Sequence, residues 1–196
     1  MTLEHARAYI GHFRSNKHYA EAGIGRSHHI NYHYFNYAIT TVRIMDVALI
    51  LTNTTFRLGN PERLCRLDNI NENYWVCSAG IDELLKKLNA AVEPWREPRN
   101  LFVHRGETLD ISGQRQDSKM LFVLGAVDLL GEDNESVTRI PRIDTRFLYR
   151  SVVSGIFKEF NQTEKPLLDA TSELLSGLLP IYRFWRKMLP QVTSPR

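Results

Sequence analysis

The chain has few cysteines, little net charge and no unbroken run of 18 apolar residues. Its two cysteines, Cys65 and Cys77, are typical of a protein in a reducing cytosol. Without a long apolar run, we expect no membrane-spanning segment. A net charge of +3 is too small to indicate a nucleic-acid partner by itself, although it permits one.

The N-terminus also lacks the features of a secretory signal. Residues 1–10 include Glu4, His5 and Arg7, and no apolar core follows them. We therefore expect a cytoplasmic protein. A length of 196 residues corresponds to one domain, with or without a short appendage. The pattern predicts an N-terminal helical segment over 1–26, a helical domain over 27–190 and a flexible tail over 191–196.

Helical periodicity dominates the first half of the chain. Apolar residues recur at threes and fours over 27–58, which predicts a long helix, and Gly59-Asn60-Pro61 ends it. A second helix is predicted from a cap at Asp68 or Asn69 to a point before Pro94, with an equally regular apolar stripe. Two long helices joined by a short connection predict a helical hairpin.

The second half is less regular. Residues 119–130 fit a helix, although Leu121-Phe122-Val123-Leu124 could also form a strand. From Asp144 onward, a helical period continues almost to the end of the chain, with Pro166 and Pro180 as expected kinks or restarts. The sequence therefore predicts an all-α fold, a bundle of four to five helices.

The most informative segment is Arg99-Asn100-Leu101-Phe102-Val103-His104. On an α-helix Asn100 and His104 would lie about 40° apart, and Arg99 would lie about 140° from His104. The long side chain of Arg99 can still reach the same site. If Pro98 is the first helical residue, Arg99 also lies where free backbone N–H groups favour a phosphate.

These side chains match the needs of a ribonuclease that uses no metal. Arg99 can hold an anion, Asn100 can orient a polar group, and His104 supplies an imidazole, the side chain that enzymes use most often for proton transfer. We predict these three residues as catalytic. Arg96 and Arg105 add positive charge, and we predict that they bind substrate. No metal or other cofactor is expected.

The Arg-Asn-x-x-x-His motif, placed after a long amphipathic helix, resembles the HEPN superfamily, in particular its single-domain chains with RNxxxH. The specific resemblance covers these six residues, and a looser resemblance of helix order covers 27–189. It implies a HEPN-like bundle of four to five helices and an endoribonuclease that acts on RNA, as in some toxins and defence effectors. An antitoxin or regulatory protein is then a further partner.

A homodimer is expected for a chemical reason as well as from the resemblance. RNA cleavage benefits from both a general acid and a general base, whereas each chain offers one imidazole in this motif. A two-fold interface places identical patches face to face and would supply both groups. We therefore predict dimerisation through the surface that presents His104.

Another cluster, His28, His29 and His33, allows three interpretations. His29 and His33 share a helical face and could bind a metal, but the accompanying glutamate of an HExxH motif is missing. Partly buried helix histidines are the favoured interpretation. The third is a His- and Tyr-rich surface, including Tyr32, that stacks on unpaired bases. The tryptophans Trp75, Trp95 and Trp185 are predicted to be core or interface anchors.

The motif itself also has a simpler interpretation, in which Arg99 makes a surface salt bridge and caps a helix. Three classes of function therefore stay open: a ribonuclease, an RNA-binding or regulatory module without catalysis, and a helical protein that binds a partner. Burial of His104 would favour the last class. An exposed composite groove with two Arg/His pairs facing one another would favour the first two.

Overall fold

The computed structural model describes residues 2–14, 16–105, 123–127 and 145–188. Most of these residues are helical and none of them forms a strand, so the predicted all-α fold class is confirmed. The eight labelled α-helices, in chain order, are α1 (Leu3–Gly11), α2 (Lys17–Glu21), α3 (Arg26–Phe56), α4 (Leu67–Asn71), α5 (Tyr74–Ser78), α6 (Ile81–Val92), α7 (Arg96–Asn100) and α8 (Thr145–Met188).

The long helix α3 confirms the first prediction to within two residues at each end. It stops where Arg57 adopts a left-handed backbone with φ 54° and Gly59 follows with φ 74°. The Asn53 side chain fixes the exit, because it donates to the carbonyl of Asn60 at 2.9 Å and accepts from the N–H of Asn60 at 3.1 Å. The sequence Gly-Asn-Pro therefore ends α3 as expected.

The second predicted helix is wrong in one respect, because it consists of three helices, α4, α5 and α6. Asn73 begins α5: its side chain accepts from the N–H groups of Trp75 and Val76. Gly80 then adopts a left-handed conformation with φ 68° and begins α6. An apolar stripe along the whole segment predicts which residues are buried, but it does not predict that a capping residue or a left-handed residue interrupts the helix.

Contacts divide the chain into two compact units. The first contains Met1–Thr41 and Trp95–Gln162, and the second contains Val42–Pro94 and Thr163–Arg196. Of the three boundaries, two fall within the long helices α3 and α8, and the third falls in the 3₁₀ turn Glu93–Trp95. The predicted boundaries at 26/27 and 190/191 stay predictions, and the predicted tail 191–196 lies outside the described residues.

The core of the first unit is a cluster of aromatic rings: Tyr34, Tyr37, Trp95 and Phe160, each no more than 1% exposed. The rings of Tyr37 and Phe160 stack with centroids 3.7 Å apart, and Trp95 lies 4.8 Å from Tyr37 and 5.7 Å from Phe160. Aromatic pairs at such distances contribute about 0.5–1.5 kcal/mol each beyond their burial. The cluster thus joins α3, α8 and the segment that precedes the motif.

The second unit has an aliphatic core. Gly177 of α8 lies against α6 so closely that a Cβ there would be 2.9 Å from the terminal methyl groups of Ile81 and Leu84. An ion pair between Lys87 and Glu173 at 2.6 Å spans the same two helices at the surface. The buried side chains on these helices are Ile81, Leu85, Leu88, Val92, Leu174 and Leu178.

The last helix, α8, includes both Pro166 and Pro180 within one assigned helix from Thr145 to Met188. The helix therefore does not restart at either proline. The predicted cap Asp144 lies outside the described residues. Within the predicted segment 119–130, residues 123–127 are helical, with Leu124 and Val127 buried, and its other residues lie outside the description.

By length and composition alone, α3 is apolar enough to cross a membrane, and it is the one helix of the described residues that passes this test. Half of its most apolar window is buried inside the protein, as is usual for core helices. The finding is weak support for a span, and the expectation of no membrane segment stays a prediction.

The three tryptophans do not share one role. Trp95 is 1% exposed and is the core anchor that the sequence predicts. Trp185 is partly buried, with the guanidinium of Arg57 4.6 Å from its ring centroid. Trp75 is 66% exposed, which excludes a core role there, and its role as an interface anchor stays a prediction. It follows the capping residue Asn73 by two positions, and this places its ring outside the stripe that α6 buries.

Candidate active site

The motif does not lie at a helix start. Helix α6 is followed directly by a 3₁₀ turn, Glu93–Trp95, and this turn is followed directly by α7. Pro98 is the third residue of α7, and Trp95 before it already has helical angles, φ −98° and ψ −6°. The predicted phosphate site at a helix N-terminus beside Arg99 is therefore wrong, because the preceding turns already occupy that position.

Beyond α7 the backbone widens. Residues Leu101–Arg105 form a π-helix, with hydrogen bonds from residue i to i+5. A π-turn holds more residues than an α-turn, so each residue advances by a smaller angle around the axis. His104 is consequently closer in direction to both Asn100 and Arg99 than the α-helical expectation of about 40° and about 140°. Single π-turns of this kind occur frequently at functional sites.

The polar side chains of the motif are accessible. His104 and Asn100 are exposed, and Arg99 is partly buried. Nη1 of Arg99 donates to Oδ1 of Asn100 at 2.9 Å. This bond uses one of the five guanidinium N–H donors, so the fork retains donors for an anion. The structure thus brings Arg99 and Asn100 together at the end of α7 and presents His104 on the π-turn that follows directly.

The apolar side chains of the motif segment attach it to the core of the first unit. The ring of Phe102 stacks on Phe35 of α3, with centroids 4.4 Å apart and planes 11° apart. Trp95, four residues before Arg99, is buried in the aromatic cluster around Phe160. A polar group gains catalytic precision when packed residues fix its backbone. The turn that carries His104 is therefore fixed at two points, by the stack of Phe102 on Phe35 and by the buried ring of Trp95 before it.

The two additional arginines have different settings. Arg96 is partly buried and already has an interaction partner within the protein. Arg105 ends the π-helix, and its side chain lies outside the description. Between residues 93 and 105, three arginines outnumber two glutamates, Glu93 and Glu97, so the local charge is weakly positive. Substrate binding by Arg96 and Arg105 stays a prediction.

The histidines of α3 belong to a separate ring cluster. His33 is buried: Tyr9 stacks on it at 4.9 Å, and His29 meets it edge-on at 4.5 Å. Nε2 of His29 lies 2.8 Å from the carbonyl oxygen of Tyr9. Burial and the neighbouring His29 lower the pKa of His33 to about 4. The interpretation as buried helix histidines is confirmed for His33.

This cluster includes residues that the sequence does not single out. Tyr9 of α1 and Phe13, just beyond it, contribute rings, and the ring of Phe13 lies 4.9 Å from that of His29. The available signal is the amphipathic pattern of α1, which buries Ala6 and Ile10 and directs Tyr9 beside them. No group of three or more metal-ligating side chains occurs in the part of the chain that the structure describes.

Comparison of the chain with models of protein families, with curated proteins and with solved structures found no match. The resemblance to the HEPN superfamily therefore depends on the residues of the motif and on helix order.

Proposed function

We propose that the protein is a metal-independent endoribonuclease of HEPN type that cleaves single-stranded RNA at a composite site in a homodimer. The observation that supports this proposal is the exposed His104 on a π-turn, next to the bonded pair Arg99 and Asn100. Catalytic polar residues are commonly found on such widened turns, whereas a histidine that ties helices together is expected to be buried.

In the proposed reaction, the 2′-hydroxyl of the RNA attacks the adjacent phosphorus. One His104 removes the proton of that hydroxyl, and a second imidazole protonates the 5′-oxygen that leaves. Arg99 holds the phosphate and stabilises the negative charge that develops on its oxygens. Asn100 holds the guanidinium through the bond at 2.9 Å. The products are a 2′,3′-cyclic phosphate and a 5′-hydroxyl.

The two imidazoles require two chains. A dimer whose two-fold axis passes near the π-turn would bring the two His104 rings to one phosphate group, whereas rings more than about 20 Å apart could not act on the same phosphate. Such an enzyme acts in the cytoplasm, as a defence or toxin-like effector, and an antitoxin or regulatory protein would control it.

A second candidate is an RNA-binding or regulatory module that does not cleave. The Arg99–Asn100 bond favours this candidate, because Arg99 and Asn100 already bind each other before any RNA is present and are therefore less available for a catalytic role. The third class, a helical protein whose motif only joins helices, receives less support, because His104 is exposed.

The test compares cleavage of single-stranded RNA in EDTA by the wild type and by His104→Ala, which should lose about 10²-fold or more in rate. Arg99→Lys should also be impaired, because an ammonium cannot hold two phosphate oxygens as a guanidinium does. His18→Ala is the matched control, because His18 is an exposed histidine on α2. All variants should melt near the wild-type temperature.

The outcomes separate the candidates. Cleavage that EDTA abolishes, or equal cutting of DNA, which lacks the 2′-hydroxyl, contradicts the reaction. RNA binding without cleavage, weakened by Arg99→Ala but not by His104→Ala, identifies the second candidate. Lower melting temperatures for both variants, with no RNA binding by the wild type, identify the third.

A further inference from the structure

The second unit carries an apolar stripe on the outer face of α8. We define the stripe as Leu168, Leu175, Leu179 and Tyr182, which are 65%, 50%, 42% and 53% exposed. Their spacings of seven, four and three residues place all four within about 60° around the helix. They line a groove of about 630 Å³ between α8 and the end of α3, where Leu51 is also exposed. Single exposed apolar residues are common, but a contiguous row of them is typical of an interface.

Leu168 and Tyr182 are placed symmetrically about Leu175, whereas the position symmetric to Leu179 is Thr171. Leu168 and Tyr182 each lie seven residues from Leu175, and Glu164 and Arg186 each lie eleven residues from it. At about 100° per residue, these four positions fall within about 20° of the direction of Leu175. An antiparallel copy of α8 with its axis at Leu175 would therefore place Leu168 against Tyr182 and Glu164 against Arg186.

The charges on α8 favour the same arrangement. Residues 176–188 carry the cations Arg183, Arg186 and Lys187 and no acidic residue. Residues 163–175 carry three carboxylates and only Lys165 as a cation. Asp169 pairs with Lys165 and Glu173 pairs with Lys87 of α6, and Glu164 also has an interaction within the chain, so this half keeps a smaller excess of negative charge. A parallel copy would place three cations against three cations, whereas an antiparallel copy places the basic half against the acidic half.

We propose that the apolar stripe binds a second copy of this chain, with the two α8 helices antiparallel and a two-fold axis at Leu175. This interface goes beyond the proposed function, because it involves neither His104 nor the motif segment. From Glu164 to Arg186 the stripe is about 33 Å long and about 10 Å wide. Two such faces would bury about 660 Å² in total, less than a standard specific interface, so the dimer should be weak, with a Kd in the upper micromolar range.

The first experiment measures mass by sedimentation equilibrium between about 1 and 100 µM. The wild type should associate through the stripe, and it should form species larger than a dimer where the His104 surface also pairs two chains. Leu175→Glu, which places two carboxylates together at the axis, should weaken the association through the stripe at least about tenfold. Phe184→Glu is the matched control. Phe184 is 55% exposed on the same helix but lies nine residues from Leu175, on the opposite side. It should leave the dimer unchanged.

The second experiment tests orientation. Glu164→Lys and Arg186→Glu should each weaken the dimer several-fold, because each creates two like-charge pairs in an antiparallel dimer. Both substitutions in one chain should restore the wild-type Kd to within about twofold. In a parallel dimer, residue 164 would face residue 164 and residue 186 would face residue 186. Each single substitution would then replace one like-charge pair by another, and the Kd would not change.

Three results would overturn the proposal. These are a wild type that stays monomeric at about 100 µM, a dimer that Leu175→Glu does not weaken, and single charge substitutions without effect. The second result would assign dimerisation to another surface, such as the one that presents His104. Circular dichroism verifies that each variant is folded, and Leu175→Gln replaces Leu175→Glu if the latter unfolds.

Discussion

Acid should destabilise this protein through His33 at the centre of the N-terminal ring cluster. The imidazole is 8% exposed, and Tyr9, His29 and Tyr32 are the titratable groups around it. Its Nδ1 is buried and has no hydrogen-bond acceptor or donor among the described residues. A proton on this ring would therefore be buried beside another histidine with no carboxylate in contact.

The magnitude follows from the two states of the ring. Burial and His29 lower the pKa of His33 to about 4 in the folded protein, whereas an imidazole in an unfolded chain has a pKa of about 6.5. The unfolded state therefore binds more protons between these values. The stability contribution is fully present above about pH 6.5 and is lost as the pH falls toward 4. Between pH 7 and pH 5, the loss amounts to about 2 kcal/mol.

The assay is urea unfolding at pH 7 and at pH 5. His33→Gln should remove about 2 kcal/mol from the difference between the two free energies of unfolding, because Gln does not titrate. In thermal unfolding, the same energy corresponds to about 4–8 °C in Tm for a chain of this size. His18→Gln is the control, since the His18 side chain is 91% exposed, and it should retain the wild-type difference.

If His33→Gln lost as much stability between pH 7 and pH 5 as the wild type does, the reasoning would be refuted, because other groups would then carry the dependence. A variant that is weaker at both pH values but insensitive to the change would support it. Any cost of the Gln side chain itself is common to the two measurements.

Two further predictions concern the backbone and the motif. Gly80→Ala should lower the free energy of unfolding by about 1–2 kcal/mol in urea titrations. The loss comes from the backbone, because Gly80 has φ 68° while no atom lies within 4 Å of the added Cβ. Gly80→Asn should recover part of the loss, and a Gly80→Ala variant as stable as the wild type would contradict the left-handed start of α6. Phe102→Ala should cost about 2 kcal/mol, because it removes the stack on Phe35 and part of a buried ring. Under conditions in which Phe102→Ala stays folded, its RNA cleavage or binding should still be lower than that of the wild type, whereas Phe102→Leu should retain most of its stability and activity. Equal activity of Phe102→Ala and the wild type would show that the stack does not position the motif.

The sequence predicts those parts of the fold in which burial alone decides the structure. The periodic residues of α3, such as Tyr34, Ala38 and Met45, are buried as expected. The helix ends at Phe56, because Arg57 and Gly59 have left-handed backbone. Apolar periodicity predicts which face of a helix is buried, and a stop signal predicts where the helix ends. The sequence therefore predicts a long helix well when it has both signals.

The same periodicity fails between residues 67 and 92, because the buried face continues through two breaks. Asn73 and Gly80 carry the signals for these breaks, a side chain that caps a helix and a residue that tolerates positive φ. Both residues are also found inside helices, so their effect depends on contacts that one sequence does not specify.

For the candidate site, the sequence identifies the residue types but not the shape of the backbone. It singles out Arg99, Asn100 and His104 and predicts Trp95 as an anchor. It misses the π-turn, because no residue type encodes one, and the stack of Phe102 on Phe35 depends on two segments far apart in the chain. The absence of a helix start at Arg99 follows from Glu93–Trp95, which stays helical despite Pro94.

The π-turn also changes what the spacing of the motif means. In an α-helix, residues three or four apart lie on one face, whereas a π-turn moves this relation toward residues five apart. Arg99 and His104 are five apart. Deleting one residue from 101–105 would let this segment close as an α-helix and would shorten the interval to four. A chain with a π-turn and an interval of five residues could therefore point its guanidinium and imidazole in directions similar to those in a chain with an α-helix and an interval of four. A sequence search with one fixed spacing would find only one of these two chains.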